Sequence, residues 1–272
     1  MHSNLPIGIF DSGMGGLTVF KAISRRLPAE DLLYLGDTAR LPYGTKARET
    51  IIRYTLLAST KLIERGIKML VVACNTATAN ALPALRARFA PLPVVGVVEP
   101  GARAAISVTK NERILVIATE ATIKSCVYTA AIQALKPTAQ ITAKACTLFV
   151  PMAEEGLMTG CLVEGVAHYY LDDVLNLKDN LPDTMILGCT HFPLLKDALK
   201  NVVGPTMTVV DPAATVAETV EAELACQNLL VATERTGQKH FMTTDNQERF
   251  ARTGSLFLGE ELSASAVELV DL

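Results

Sequence analysis

Eight short apolar runs, each parted from the next by a longer stretch, constrain this 272-residue chain more than any other feature. They fall at residues 7–10, 32–35, 69–73, 94–98, 114–118, 141–145, 185–187 and 208–210. Short, continuously apolar runs are what strands look like when both faces of a sheet are covered. Among the stretches between them, residues 17–27 put Leu17, Phe20, Ile23 and Leu27 on one helical face, and residues 47–65 carry Ile51, Tyr54, Leu57 and Leu62 at compatible spacing. Strand–helix alternation of this kind predicts an α/β fold of mostly parallel sheets flanked by helices. The chain is long enough for two such domains, each with its own core.

A weak internal repeat supports that division. Val71-Val72-Ala73-Cys74-Asn75-Thr76 resembles Ile186-Leu187-Gly188-Cys189-Thr190-His191: each apolar run meets a cysteine and then a small polar residue that could start a helix. Likewise the run ending in Asp11-Ser12-Gly13 resembles the one ending in Thr119-Glu120-Ala121-Thr122. Asp11 and Thr119 stand 108 residues apart, Cys74 and Cys189 115 apart, as one duplication with altered loops requires. We therefore expect two pseudo-symmetric domains, residues 1–98 with 211–272 and residues 99–210, with a site in the cleft between them. Ligands of parallel sheets collect beyond the carboxyl ends of the strands. Asp11, Cys74, Thr119 and Cys189 should converge there.

Composition excludes several classes of function. A net charge of −3 and a pI near 5.9 leave no electrostatic footprint for nucleic acid. No apolar stretch suffices to span a bilayer; Glu99 and Arg103 interrupt the best candidate. The first residues lack the basic-then-apolar pattern of a signal peptide, so a cytoplasmic location without membrane attachment is expected. Of six cysteines none forms C-x-x-C, and no Cys/His spacing suits a metal. Free thiols are expected, each taken alone a small buried hydrophobe.

The pairing of Cys74 and Cys189 changes that expectation. Two thiols facing each other across a cleft can take a proton from one face of a carbon and return one to the other. A thiol does this best with a pKa near ambient pH, and a strand-to-helix turn can lower it. Without a cofactor such a site needs fixed donors for the charge that develops on an adjacent carboxylate. Asn75, Thr76 and Thr190 are suitable, and His191 could hold or relay the proton of Cys189. In Asp11-Ser12-Gly13-Met14-Gly15-Gly16, glycines and a following helix favour an anion, and Asp11 could orient a neighbouring base. The loop Leu41-Pro42-Tyr43-Gly44 could reach the cleft or be a plain turn. Glu154 could be no more than a helix-start residue.

Taken together, Asp11 through Gly16, Asp37-Thr38 through Pro42-Tyr43-Gly44, Ala73-Cys74-Asn75-Thr76-Ala77, Phe149-Val150-Pro151 with Glu154, and Leu187-Gly188-Cys189-Thr190-His191-Phe192-Pro193 resemble the glutamate racemases of the aspartate/glutamate racemase superfamily. The resemblance runs from about Ile7 to the C-terminus. It implies cofactor-independent interconversion of L- and D-glutamate, with D-glutamate serving peptidoglycan synthesis. It further implies that Cys74 takes the α-proton of D-glutamate and Cys189 that of L-glutamate, that Asp11 assists Cys74, and that Glu154 and His191 assist Cys189. Ser12, Pro42, Tyr43, Gly44, Asn75, Thr76, Thr119, Thr122 and Thr190 map to positions that hold the substrate, and a homodimer is implied. Some members carry an N-terminal extension and depend on a cell-wall precursor; with six residues ahead of Ile7, that dependence is not expected here. The competing readings are a racemase for aspartate, a binding domain for a small anion, and a thiol-dependent phosphatase or redox enzyme. A binder has no use for two cleft thiols, and the third would need an arginine-bearing phosphate loop or a C-x-x-C.

Overall fold

The apolar runs become strands within one or two residues of their expected ends. In the computed structural model, which describes residues 2–177, 180–231 and 235–272, they are β1 (Ile7–Asp11), β2 (Leu32–Gly36), β3 (Met69–Val72), β4 (Val94–Gly96), β5 (Arg113–Ala118), β6 (Gln140–Ala145), β7 (Thr184–Gly188) and β8 (Thr208–Val210). Two more, β9 (Lys239–Thr243) and β10 (Val267–Leu269), carry no such apolar signature. The helices between them are α1 (Leu17–Arg26), α2 (Arg48–Glu64), α3 (Asn75–Phe89), α4 (Val98–Val108), α5 (Glu120–Lys124), α6 (Val127–Leu135), α7 (Phe149–Glu154), α8 (Cys161–Leu175), α9 (Lys196–Val203), α10 (Ala213–Cys226) and α11 (Gln247–Leu258).

One sheet has the order β10-β9-β2-β1-β3-β4 and the other β6-β5-β7-β8. Every pairing is parallel. Replacing each of β1–β4 by the strand four places later turns β2-β1-β3-β4 into β6-β5-β7-β8. The repeat seen in the sequence is thus a repeat of topology. β9 pairs with β2, so the end of the chain returns to the first sheet.

Side chains of successive strand residues point to opposite faces, and the cores sort accordingly. Ile7 and Ile9 of β1 face α1 and α11, whereas Phe10 joins the cluster under α2 and α3. In β5, Leu115 and Ile117 share a core with α7–α9, while Ile114 and Val116 pack with α4 and α6. The first of these clusters is continuous across the two sheets and includes Cys189. Burying each large aliphatic side chain in it is worth roughly 1.5–3 kcal/mol before entropy is counted.

One strand is shorter than expected: the run 94–98 stops at Gly96, and Val98 opens α4. Val97 leaves the ladder and donates its N–H to Thr78 Oγ1 instead. Away from the cleft, Lys68 and Glu30 form an ion pair at 2.5 Å with both side chains sealed from water. Lys68 Nζ also donates to the carbonyls of Ser3 and Leu229, and Glu30 accepts the Val231 N–H. Four separate stretches of chain are pinned at one point. Among the described residues no helix is long and apolar enough to cross a membrane.

Candidate active site

The carboxyl ends of the two sheets bring the singled-out residues together. Asp11 is the last residue of β1, Cys74 follows β3 by two residues, and Cys189 directly follows β7. One cleft is lined by Ser12, Gly13, Leu41, Pro42, Tyr43, Gly44, Cys74, Asn75, Thr76, Thr119, Val150, Glu154, Cys189, Thr190 and His191. Asp11 and Thr122 lie behind that lining rather than in it. Gly13, Leu41 and Val150 also form its wall; each stands inside one of the sequence motifs but carries no polar side chain that would mark it as a site residue.

Around Cys74 the polar groups are close and buried. Its side chain caps α3, accepting the Ala77 N–H at 3.4 Å, and Ser12 Oγ lies 3.3 Å from its sulfur. A lowered pKa was expected at this turn, but burial pushes the Cys74 thiol up to about 12, and the Asp11 carboxylate adds to the effect. Desolvation of the thiolate here outweighs the helix terminus and both hydrogen bonds. At neutral pH Cys74 therefore carries its proton. Asp11 is itself raised, first by burial, against the His191 charge and the Gly16 and Gly13 N–H donors. The Gly13 N–H reaches Asp11 Oδ2 at 2.9 Å. Two amides of the glycine loop that were expected to face an anionic ligand are thus turned onto the protein's own carboxylate.

Cys189 has a different neighbour. His191 Nδ1 is 3.9 Å from its sulfur, and His191 Nε2 is 3.1 Å from Glu154 Oε1. Glu154 Oε2 meets the half-exposed guanidinium of Arg249 at 3.4 Å. Burial pulls the imidazole pKa down, yet the hydrogen bonds to Cys189 and Glu154, with the charges of both, hold it up at about 10. Glu154 proves to be the last residue of α7, not a helix start. After Cys189 the chain makes a 3-10 turn, Phe192–Leu195, before α9 begins. Its bonds span three residues, Phe192 N–H to Cys189 O and Leu194 N–H to His191 O.

The two halves also meet directly. Hydroxyls of Thr76, Thr119 and Thr122 lie 2.8, 3.2 and 3.0 Å from one another, and Thr190 donates to Asp11 Oδ1 at 3.4 Å. Gly15 passes so near the second half that a Cβ there would sit 2.4 Å from Thr190 Oγ1 and 2.6 Å from His191 Nδ1. Asp37, wholly buried, holds the Pro42–Gly44 loop by accepting from Tyr43 Oη at 2.6 Å, Arg40 Nη1 at 2.8 Å and Thr244 Oγ1 at 2.8 Å. Of the remaining cysteines Cys146 is buried, and Cys126, Cys161 and Cys226 are exposed.

The model of the Asp/Glu/hydantoin racemase family matches residues 7–220 of this chain. The chain belongs to that family. A glutamate racemase of Geobacter metallireducens is 47% identical over 94% of this chain and 93% of its own. Among solved structures, a glutamate racemase isoform of Bacillus anthracis superposes with a TM-score of 0.93 at 36% identity, covering 100% of this chain and 99% of that one. The glutamate racemase of Francisella tularensis, determined in complex with D-glutamate, does so with a TM-score of 0.90 at 35% identity over 99% and 98% of the two chains. This member of the Asp/Glu/hydantoin racemase family is accordingly a racemase with two helix-flanked, mostly parallel sheets.

Proposed function

We propose that the chain interconverts L- and D-glutamate by passing the α-proton between Cys74 and Cys189. One observation supports this reading above the others: two thiols, one from the end of each sheet, line a single cleft. The glutamate racemases to which the chain is similar supply the substrate. In the L-to-D direction Cys189, paired with the His191 imidazolium, enters as thiolate and Cys74 as thiol. The Cα–H bond breaks, its proton goes to the Cys189 sulfur, and its electron pair spreads into the carboxylate. Cys74 then gives its proton to the opposite face of Cα. Asn75, Thr76, Thr190 and Ser12 offer donors for the carboxylate and amino group, where charge develops. The Pro42–Gly44 loop closes over them, Thr119 and Thr122 support Thr76, and Asp11 and Glu154 assist Cys74 and His191.

After one turnover the thiols have exchanged states, which is the form needed for D-glutamate. A source of D-glutamate for peptidoglycan, a homodimeric assembly and a cytoplasmic setting complete the reading. The test is circular dichroism of L-glutamate incubated with the purified, reduced protein in heavy water. Decay of the signal to zero with deuterium at Cα is expected. A persistent signal with glutamate, alongside decay with aspartate, would overturn the substrate; incorporation in a variant lacking both thiols would overturn the mechanism.

A further inference from the structure

Tyr128 belongs to α6 of the second half, outside the cleft lining, yet it touches the flanks of both thiols. Its hydroxyl donates to Asn75 Oδ1 at 2.7 Å, and Asn75 is the residue after Cys74. Its ring lies against Gly188, the residue before Cys189, where a Cβ would come within 3.1 Å of Cε2. A Cβ on Gly101 would come equally close to the hydroxyl, so a glycine there leaves the phenol its place. The ring is almost fully buried.

An amide bound through its oxygen must turn its NH2 the other way. Asn75 lines the cleft and also a small adjoining cavity beside Asp211 and Pro212, and among the described residues no hydrogen bond takes its Nδ2 protons. We infer that Tyr128 is a positioning residue: by holding Asn75 Oδ1 it aims the Asn75 NH2 at the substrate carboxylate. Burial keeps the phenol protonated far above neutral pH, first by desolvation and then through Cys189 and Asp211, so the donor role does not reverse. Without that hydroxyl the amide is free to flip, presenting its oxygen to a carboxylate, and repulsion replaces attraction. The inference rests on the proposed role of Asn75 in holding substrate.

The test is a double-mutant cycle in kcat/KM for L-glutamate, with each melting temperature measured in parallel. Tyr128→Phe removes one oxygen and keeps the ring; a loss of about 10-fold is expected, on the scale of one hydrogen bond to a charged group. In the Asn75→Ala background the same change should cost less than about 2-fold, because the amide it orients is gone. Equal losses in both backgrounds would mean that Tyr128 acts through general packing, and the inference fails. Wild-type kinetics in Tyr128→Phe beside an impaired Asn75→Ala would overturn the role of Tyr128 alone. Wild-type kinetics in Asn75→Ala would overturn the reading of Asn75 on which it rests.

Discussion

Each thiol sits beside a different ionisable partner, and in the proposed mechanism that difference sets which proton each moves. Cys74 faces a buried carboxylate and keeps its proton; Cys189 faces an imidazole that Cys189 itself and then Glu154 hold in the charged form. Replacing either cysteine by alanine removes one proton carrier. Racemisation should fall by at least ~10²–10⁴-fold, the usual worth of a positioned acid or base, while far-UV circular dichroism stays unchanged. Retained turnover in either variant would sink the two-thiol scheme. His191 offers a direct check by NMR titration, its signal assigned by comparison with His191→Asn. Its folded pKa lies above its unfolded value, so the ring should remain charged at pH 8 and lose its proton near pH 10. The stability drawn from its partners is full below about pH 6.5 and is lost as pH rises through about 10. A midpoint near 6.5 would break the proposed coupling. The cysteines, Asp11 and His191 were legible because each stands in a strand-end motif. Tyr128, Asp37 and Arg249 were not read as site residues: a side chain that acts through another, 53 residues away for Tyr128 and Asn75, leaves no local pattern.

At the scale of elements, the site depends on loops that touch across the two halves. Gly15→Ala would drive a methyl into Thr190 and His191, so activity should drop far more than the melting temperature. The reverse ranking would show that the loop yields without disturbing Cys189. The Lys68–Glu30 pair presents the opposite case, far from the cleft lining. Lys68→Met leaves a buried carboxylate unpaired and frees Ser3 and Leu229, a loss of roughly 3–5 kcal/mol. Urea unfolding should show it as an earlier midpoint, with activity in buffer near that of the parent. Most strands were readable because burial on both faces demands a continuous apolar run. β9 and β10 escaped because Lys239, His240, Glu268 and Leu269 are exposed at the margin of the sheet. There the backbone ladder, not side-chain burial, defines the strand. The helix expected straight after Cys189 was displaced for a local reason too, since the 3-10 turn comes first.

For the whole molecule, a ligand that bridges both sheets should stabilise their common arrangement. A protein lacking both thiols keeps each enantiomer intact and makes this measurable. At a hundred times its Kd a ligand adds about 2.7 kcal/mol, which raises the melting temperature by several degrees at roughly 2–4 °C per kcal/mol. L- and D-glutamate should both do so, and aspartate far less. Equal shifts from aspartate would argue for a pocket that does not measure side-chain length.

The shared strand order of the two sheets bears on the chemistry in another way. A planar carbanion has two mirror-related faces, but a protein made of L-residues cannot build a mirror image of itself. Rotation is the only symmetry open to it. In the proposed mechanism two copies of one strand order, each ending in a cysteine, would offer a thiol to each side of such a plane without any new architecture.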